Sequence, residues 1–335
     1  LTDRTRGREK RSIFKRPLIR LTNYCCSARL NPSQLFDGRI TNRLIDHMRI
    51  DAVAAEVMHA DETIAQVLKE PDRRPDSKSY MWVQSTDTGP PMVIYHYAPG
   101  RSGEVVDHLF GDYRGTLVTD GYAAYQRLTH ASHAGCWAHA RRKFHDALQE
   151  QKGQRTGKAQ VGFNFIQRLF VLERQWATLS TEQRLEQRQL TAQPLIDGLA
   201  QWFQKSLPLI TPKSQLGRAM IYLHKQWDKL TVFLQSGNVP IHNNQAENKI
   251  RPFVIGRKNW MFNDSVKGAE SSAAIYSLIE TAKANDLAPD MYLRWLFNTL
   301  PNADTTSSKA LRALLPYGVN PDVIVQSLAD KALSG

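Results

Sequence analysis

The apolar residues of this sequence recur with two different periods, and each period covers its own stretch of the chain. From residue 41 the spacing is near-helical, with apolar side chains at Leu44, Met48, Val53 and Val57. Short runs rich in β-branched and aromatic residues follow, separated by turn residues. The pattern predicts a compact mixed α/β unit over residues 41–150, with elements in the order βββαβαβα.

The bounds of the individual elements follow from these runs. The predicted strands cover residues 57–60, 80–86, 92–97, 115–119 and 134–137. The predicted helices cover residues 102–110, 122–128 and 138–150. The first strand leads into Asp61, and the fourth delivers Asp120 at its end, so the pattern predicts two carboxylates at strand ends.

Residues 151–238 differ, because their apolar positions follow long helical periods and predict an all-helical segment. Thr211 and Pro212 suit the cap and first position of its last helix. Asn243 and the residues after it open a further helix, which Pro252 is expected to end or kink. Two more helices are predicted over residues 273–284 and 292–300.

Composition and charge narrow the class of protein. The 335 residues are 41% hydrophobic and 23% charged, and no uninterrupted apolar run approaches the roughly 18 residues of a membrane helix. A soluble globular protein is therefore expected. Its net charge of +12 favours polyanions as partners, and the excess is greatest in a basic run before residue 41. Three cysteines, two of them adjacent, favour a reducing cytosol over a disulfide framework.

Three carboxylates at element ends are the candidates for chemistry: Asp61, Asp120 and Glu247. If the fold brings them together, they offer the oxygen ligands that magnesium prefers. Each has an ordinary alternative. Glu247 follows Asn244 by three residues, as in a capping box, and Asp120 with Gly121 resembles a simple turn.

A zinc site is a further possibility on spacing alone. Its ligands would be His133, Cys136, His139 and His145, although a helix-to-strand change here would scatter them.

The sequence around the three acids resembles one family of proteins. Six strings occur in a fixed order: His59-Ala60-Asp61-Glu62-Thr63, Tyr80-Met81-Trp82-Val83, Thr119-Asp120-Gly121-Tyr122, Gly135-Cys136-Trp137-Ala138-His139-Ala140-Arg141-Arg142-Lys143-Phe144, Asn243-Asn244-Gln245-Ala246-Glu247-Asn248 and Arg251-Pro252-Phe253-Val254-Ile255-Gly256-Arg257-Lys258-Asn259-Trp260. Together they resemble the insertion-sequence 66 family of bacterial transposases, over about residues 41 to 300. These are enzymes that cut and join DNA during transposition of an insertion sequence.

The resemblance implies an α/β fold, a ribonuclease H-like mixed sheet flanked by helices, with an all-helical insertion before the last catalytic acid. It divides the chain into a basic N-terminal segment (1–40), the first part of the catalytic domain (41–150), the helical insertion (151–238), the last part of the catalytic domain (239–300) and a C-terminal tail (301–335).

In such an enzyme Asp61, Asp120 and Glu247 are the DDE triad. They hold two Mg²⁺ ions, for which Mn²⁺ can substitute, and these activate water and then a freed 3′-hydroxyl for attack on DNA. The resemblance also implies a bacterial, cytoplasmic, nucleoid-associated protein that contacts transposon ends and target DNA. It would act as a homo-oligomer on DNA, with accessory proteins of the same element and no membrane.

Further residues are expected around the triad. Cys136 and His139 form the Cys-x-x-His element after the second acid, and with Asn243, Asn244 and Arg251 they are expected to support the acids. The expected DNA contacts are Arg141, Arg142, Lys143, Lys249, Arg257, Lys258 and Trp260, the last by stacking on a base, although a core tryptophan is the commoner case.

Two departures from the family pattern stand out. His242 occupies a place where relatives often carry an acid. Relatives also carry a longer N-terminal region of zinc-binding and helix-turn-helix character, whereas this sequence starts at Leu1 and contains no Cys-x-x-Cys pair. A shortened or rearranged N-terminus is therefore expected. Two alternatives stay open: a catalytically inactive DNA-binding remnant of a transposase, and a ribonuclease H-like nuclease acting on RNA–DNA hybrids or junctions.

Overall fold

The computed structural model describes residues 38–150 and 157–333. The predicted basic segment, apart from its last three residues, lies outside this part of the chain. Seven strands occur in the described ranges: β1 Val57–Ala65, β2 Val67–Lys69, β3 Ser79–Thr86, β4 Val93–Ala98, β5 Thr116–Val118, β6 Ser132–Ala134 and β7 Asn263–Ser265.

Twelve α-helices accompany these strands in the described ranges. They are α1 Gly38–Ala52, α2 Gly103–Phe110, α3 Trp137–Glu150, α4 Lys158–Gln175, α5 Thr181–Gln187, α6 Gln193–Ser206, α7 Gln215–Thr231, α8 Asn244–Trp260, α9 Val266–Ala284, α10 Pro289–Thr299, α11 Ser308–Ala313 and α12 Pro321–Leu333. None of them is long and apolar enough to cross a membrane.

Five strands form a mixed sheet in the order β4-β3-β1-β5-β6. β3 pairs antiparallel with both β4 and β1, whereas β5 pairs parallel with both β1 and β6. β2 and β7 form a separate parallel pair. The predicted α/β class is thus confirmed. The five strands of the sheet follow the predicted order along the chain, but the helix expected over residues 122–128 is a short 3-10 helix, Ala123–Arg127. β2 and β7 were missed because β2 follows β1 after a single residue and does not stand out as a separate run, and because β7 consists of Asn, Asp and Ser, which are typical of turns.

The side chains of the sheet alternate between two buried faces, as the period of two requires. Met58 on β1, Trp82 on β3, Ile94 on β4 and Leu117 on β5 belong to one hydrophobic cluster, with residues of α1, α9 and α10. Their neighbours on the opposite face join two other clusters. One of these packs against α3 and the helices α4 to α7, and the other packs against α8 and α9.

Helix α9 closes the outer edge of the sheet. The backbone N–H groups of Tyr95 and Val93 on β4 donate to the hydroxyls of Ser277 and Thr281, at 2.8 and 2.9 Å. An exposed edge strand would otherwise present unpaired donors to other chains. The hydroxyls of α9 therefore satisfy these donors of the edge strand β4.

Several predicted bounds were wrong, for local reasons. β1 continues to Ala65, so Asp61 lies inside a strand rather than after one; residues 60–65 keep their antiparallel pairing with β3 after the parallel pairing with β5 stops at His59. α1 ends at Ala52, which leaves Val53 37% exposed and outside the helix. α7 is capped by Ser214, whose hydroxyl accepts from the Gly217 N–H, rather than by Thr211.

The C-terminal half holds two further differences. α8 does not end at Pro252 but continues to Trp260. The residues after 300, for which the sequence predicts no elements, form α11 and α12, and Leu311, Leu315 and Ile324 are buried in the same cluster as α1.

Candidate active site

Two of the three candidate acids are brought to matching positions by the parallel pairing of β1 and β5. His59 pairs with Val118; Asp61 lies two residues later within β1, and Asp120 lies two residues beyond the end of β5. Parallel neighbours lie about 4.8 Å apart, so the two carboxylates start from adjacent backbone positions. The negative charges of Asp120 and Glu247 repel that of Asp61 and contribute to raising its pKa.

Asn243 brings the third acid to the other two. Its side chain is fully buried and donates through Nδ2 to the Ala60 carbonyl, at 2.8 Å. Its Oδ1 lies 2.9 Å from the Nδ1 of His59. Both partners directly precede Asp61 on β1, and Glu247 follows in the first turn of α8. One asparagine therefore ties the start of the helix that carries Glu247 to the strand that carries Asp61.

The capping-box alternative for Glu247 is not what the structure shows. The cap position of α8 is Asn243, and its side chain makes no capping hydrogen bond. The Oε1 atom of Glu247 is buried, and it has no hydrogen-bond partner among the described residues. A buried carboxylate oxygen without a partner is costly, so its presence indicates a ligand, water or ion at this point.

Cys136 and His139 link the residues after β6 to Glu247. The buried Cys136 sulfur accepts from the backbone N–H of Asn243, at 3.2 Å, and the Cys136 carbonyl accepts from the backbone N–H of His139 in the first turn of α3, also at 3.2 Å. His139 Nε2 lies 3.9 Å from Glu247 Oε1. The donor atoms of Cys136, His139 and Glu247 all lie within 4.8 Å of one another.

The four-residue zinc set that spacing allowed is not brought together in the described part of the chain. His133 contacts the Leu128 carbonyl through Nε2, at 3.0 Å, and the ring of His145 lies beside Phe163. Only its middle members, Cys136 and His139, meet, and their third neighbour is Glu247.

Burial and mutual repulsion perturb the proton affinity of this region. Burial, followed by the charge of Glu62, raises the pKa of Asp61 to about 7. Burial lowers the pKa of His139, against the opposing charges of Glu247 and Asp120. Burial also raises the pKa of the Cys136 thiol. Several pKa values that burial and a nearby charge perturb together within one small region are typical of functional sites.

The donor set fits magnesium. Asp61, Asp120 and Glu247 offer carboxylate oxygens, which a hard cation prefers. The unpartnered Glu247 Oε1 and the raised pKa of Asp61 are both relieved by a positive charge at this point. The three acids would be the ligands of such an ion.

Glu62 is a buried acid that the sequence analysis did not select. Its side chain is 8% exposed, accepts from the Tyr125 hydroxyl at 3.0 Å, and lies 3.9 Å from the Arg101 guanidinium. Burial raises its pKa to about 7. Because neighbours on a strand point to opposite faces, Glu62 projects away from Asp61 into the cluster that contains Trp82. In the sequence, only the alternation of side chains along β1 could have indicated that Glu62 is buried.

The sequence allowed Asp120 and Gly121 to be a simple turn, and the structure shows such a turn with an additional contact to α7. Asp120 Oδ1 accepts from the Tyr122 N–H at 2.8 Å, and Gly121 has a φ of 93°, which favours glycine. The Asp120 carbonyl also accepts from the Tyr222 hydroxyl on α7, at 3.2 Å. The helices between α3 and α8 therefore reach the candidate site, a contact that the sequence pattern did not indicate.

The side chains of the predicted DNA contacts differ in their exposure and in their contacts with other residues of the chain. Arg142 and Lys258 are exposed, and Lys249 is half-buried. Of the residues expected to support the acids, Arg251 is exposed and Asn244 is half-buried. Lys143 Nζ lies 4.9 Å from the centre of the Tyr222 ring.

Three others are occupied within the chain. Arg141 donates to Gln167 at 2.8 Å and lies over Phe163. Arg257 donates to the Ile64 carbonyl, and Trp260 packs edge-on against Phe253. His242, the departure from the family pattern, stacks on Phe170 beside the start of α8.

Comparisons with known proteins show the family to which the chain belongs. The family model described as "Transposase IS66 family" matches residues 37–271, and a second, "IS66 C-terminal element", matches residues 277–317. Among curated proteins, "Uncharacterized protein y4hP" of Sinorhizobium fredii (strain NBRC 101917 / NGR234) is 30% identical over 296 residues, covering 82% of this chain and 52% of its own length. "Uncharacterized protein y4qI" of the same organism is 30% identical over 298 residues, covering 84% of this chain and 54% of its own length. The chain thus spans about half the length of these relatives.

Proposed function

Because the chain belongs to the IS66 family of transposases, we propose that it cuts and joins DNA strands, with Asp61, Asp120 and Glu247 as the ligands of catalytic magnesium. Membership of the family implies DNA as the substrate. The observation that carries the choice of residues is the meeting of three acids from separate parts of the chain at one end of β1 and β5, through register and through Asn243.

The proposed fold is that of a ribonuclease H-like domain. Its support is the mixed sheet in which the first strand is central, antiparallel to one neighbour and parallel to the other. Residues 151–238 would be an insertion into this domain, since α4 to α7 come between the strands and the helix that carries Glu247. Residues 41–150 and 239–300 would form the domain itself, with 301–335 as a C-terminal extension.

Two magnesium ions, or manganese in their place, would supply activation of the attacking oxygen and stabilisation of the leaving oxygen. Water attack forms a new P–O bond and breaks the bond to the 3′-oxygen, which leaves as a 3′-hydroxyl. That hydroxyl then attacks a phosphodiester of the target, forming one P–O bond and releasing another 3′-hydroxyl. Before substrate binds, the fold would keep the three mutually repelling carboxylates in place.

The surrounding residues would position these acids. Asn243 fixes the distance between β1 and the first turn of α8, and His139 lies against the Glu247 carboxylate. Cys136 links the starts of α3 and α8, since its sulfur accepts the Asn243 N–H and its carbonyl accepts the His139 N–H. These contacts are made without substrate, which reduces the reorganisation needed for catalysis.

Partners beyond the DNA strand are part of the same proposal. A transposase that joins two ends must bridge them, which favours a homo-oligomer on DNA at the nucleoid. The relatives are about twice as long as the matched region, so accessory proteins or further segments would supply recognition of the transposon ends.

The test is cleavage and joining of duplexes carrying the ends of the element in which this sequence occurs, in Mg²⁺ or Mn²⁺. The chain is compared with Asp61→Asn, Asp120→Asn and Glu247→Gln, and with Glu270→Gln, which removes an exposed acid, as the matched control. We expect metal-dependent nicked and joined products from the chain and the control alone.

Two other outcomes would contradict the proposal. If all proteins bind DNA but are equally inert beside an active full-length relative, the chain is a DNA-binding remnant. If the chain cleaves RNA–DNA hybrids and never joins ends, it is a ribonuclease H-like nuclease.

A further inference from the structure

Helix α7 presents three polar residues, one on each successive turn, beside the turn that carries Asp120. Tyr222, Gln226 and Lys229 follow the spacing i, i+4 and i+7, which places them on one face of the helix. The other side of α7 packs inward, where Phe203 of α6 stacks on His224 and Trp227. The face with the three polar residues is thus directed away from α6 and toward the candidate site.

The first two residues of this face hold the Asp120 turn. The Tyr222 hydroxyl donates to the Asp120 carbonyl at 3.2 Å. Gln226 lies so close to Gly121 that a side-chain carbon there would meet its Oε1 at 2.8 Å. Gln226 Oε1 is buried and lacks a hydrogen-bond partner in the described residues. Tyr222 and Gln226 are therefore positioning residues, because they act on the backbone that carries Asp120.

Lys229 comes one turn further along the same face. Its backbone is fixed, since the Lys229 carbonyl accepts from the Gly135 N–H at 2.9 Å and the next carbonyl accepts from the Trp137 indole at 2.7 Å. Its side chain is half-buried; burial lowers the pKa of its ammonium group, and the charge of Asp120 acts in the opposite direction. Within residues 38–150 and 157–333 no hydrogen bond or salt bridge to its ammonium group occurs. Lys229 thus carries a positive charge close to the acids that no side chain neutralises directly.

A second ammonium group belongs to the same surface. Lys143 of α3 lies over the Tyr222 ring, with Nζ 4.9 Å from the ring centre. Two cations next to three carboxylates create a strip of positive charge along one side of an acidic centre. A DNA strand that brings a phosphate to the acids must carry its neighbouring phosphates past such a side wall, and lysine is a common phosphate ligand.

We propose that α7 forms a wall of the DNA-binding cleft and that Lys229 binds a phosphate of the strand held at Asp120. This inference rests on the proposed function, since it names the part of the helical segment that contacts the substrate of that same site. It assigns residues 222–229 a role in the reaction in addition to packing.

The experiment measures DNA binding as a function of salt, with Ca²⁺ present to limit cleavage. Fluorescence anisotropy of a labelled duplex gives the dissociation constant at several KCl concentrations for the full chain. Each phosphate contact contributes about 0.9 to the slope of log affinity against log salt for duplex DNA, and about 0.7 for single strands. Lys229→Ala is therefore expected to lower the slope by about that amount.

Three further variants make the result specific. Lys205→Ala removes an exposed lysine of α6, on the far side of α7, and is expected to leave the slope unchanged. Lys229→Arg keeps the charge and should keep most of the slope, whereas Lys229→Gln keeps much of the side chain and should lose it. Circular dichroism melts identify any variant that has lost its fold.

The inference would be overturned if the salt slope of Lys229→Gln equalled those of the unaltered chain and of Lys205→Ala. It would also be overturned if the slope decreased in Lys229→Ala alone. Failure of the proposed function has a different signature. In that case the unaltered chain binds the duplex but gives no products in Mg²⁺, whatever the salt slopes of the variants are.

Discussion

Removing the Asn243 side chain is the perturbation that most directly tests how the site is assembled. This residue has no exposed surface, and its amide makes two contacts with β1: it donates to the Ala60 carbonyl at 2.8 Å and lies 2.9 Å from His59 Nδ1. Asn243→Ala removes both and leaves the two partners buried. We expect lower stability and a detached start of α8.

The magnitude follows from these contacts. Each hydrogen bond contributes about 0.5 to 1.5 kcal/mol net, and each buried group left without a partner costs about 1 to 3 kcal/mol. For two contacts, and with some relaxation, we expect a loss of about 3 kcal/mol in the free energy of unfolding. That is roughly a hundredfold change in the unfolding equilibrium at about 1.4 kcal/mol per factor of ten.

The assay is urea denaturation followed by circular dichroism, with hydrogen exchange of the Glu247 amide as a local probe. That amide donates to the Asn243 carbonyl at 3.2 Å and should exchange faster in the variant. The matched control is Asn244→Ala, the next residue, which is half-buried at the first position of α8. Asn243→Asp keeps the size but loses the donor to Ala60, so it should also be destabilised. Equal unfolding free energies for Asn243→Ala and Asn244→Ala would refute the reasoning.

Three other predictions concern neighbouring groups. Cys136→Ser should retain most stability and strand joining because an oxygen can still accept the Asn243 N–H that the sulfur accepts, whereas Cys136→Ala should lower both; equal melting curves and activities for the two variants would contradict this. Gly121→Ala should lower the melting temperature and activity because of its φ of 93° and its approach to Gln226, whereas Gly100→Ala, with open space around it, should not; the comparison is made by thermal melts and joining assays. The pKa of Asp61 is raised from 3.8 to about 7, so the folded state binds this proton more tightly than the unfolded state, and without metal its contribution to stability falls as pH rises from about 4 to about 7. Melting temperatures in a chelator should show this fall for the chain relative to Asp61→Asn, with Mg²⁺ restoring stability most at the upper end; parallel profiles for the two proteins would contradict it.

Much of the architecture could be predicted because the strands and helices differ in their apolar period. The order of elements around β1, β3, β4 and β5 follows from short β-rich runs, and the residues between α3 and α8 from their helical spacing. Boundaries were less predictable where tertiary pairing decides them. β1 extends beyond Asp61 because β3 continues to pair with it, which no feature of the residues 57–65 themselves indicates.

In the candidate site, too, the sequence predicts the residues but not the contacts between them. Sequence strings identify Asp61, Asp120 and Glu247, but they do not show how distant segments meet. That depends on a parallel register of β1 with β5 and on the amide of Asn243, both of which arise only in the folded chain. The role of Gln226 could not be predicted from the sequence, because it depends on contact with the turn at Gly121, about a hundred residues earlier in the chain.

The central claim is that three acids from separate segments form one divalent-metal site. The most direct measurement is the anomalous diffraction of crystals of this chain grown or soaked with Mn²⁺. The account predicts anomalous peaks bounded by the carboxylates of Asp61, Asp120 and Glu247, and their loss in Asp120→Asn crystals treated identically. Ordered Mn²⁺ elsewhere on the chain with none between these carboxylates, or a peak held by Cys136 and His139 that persists in Asp120→Asn, would contradict it.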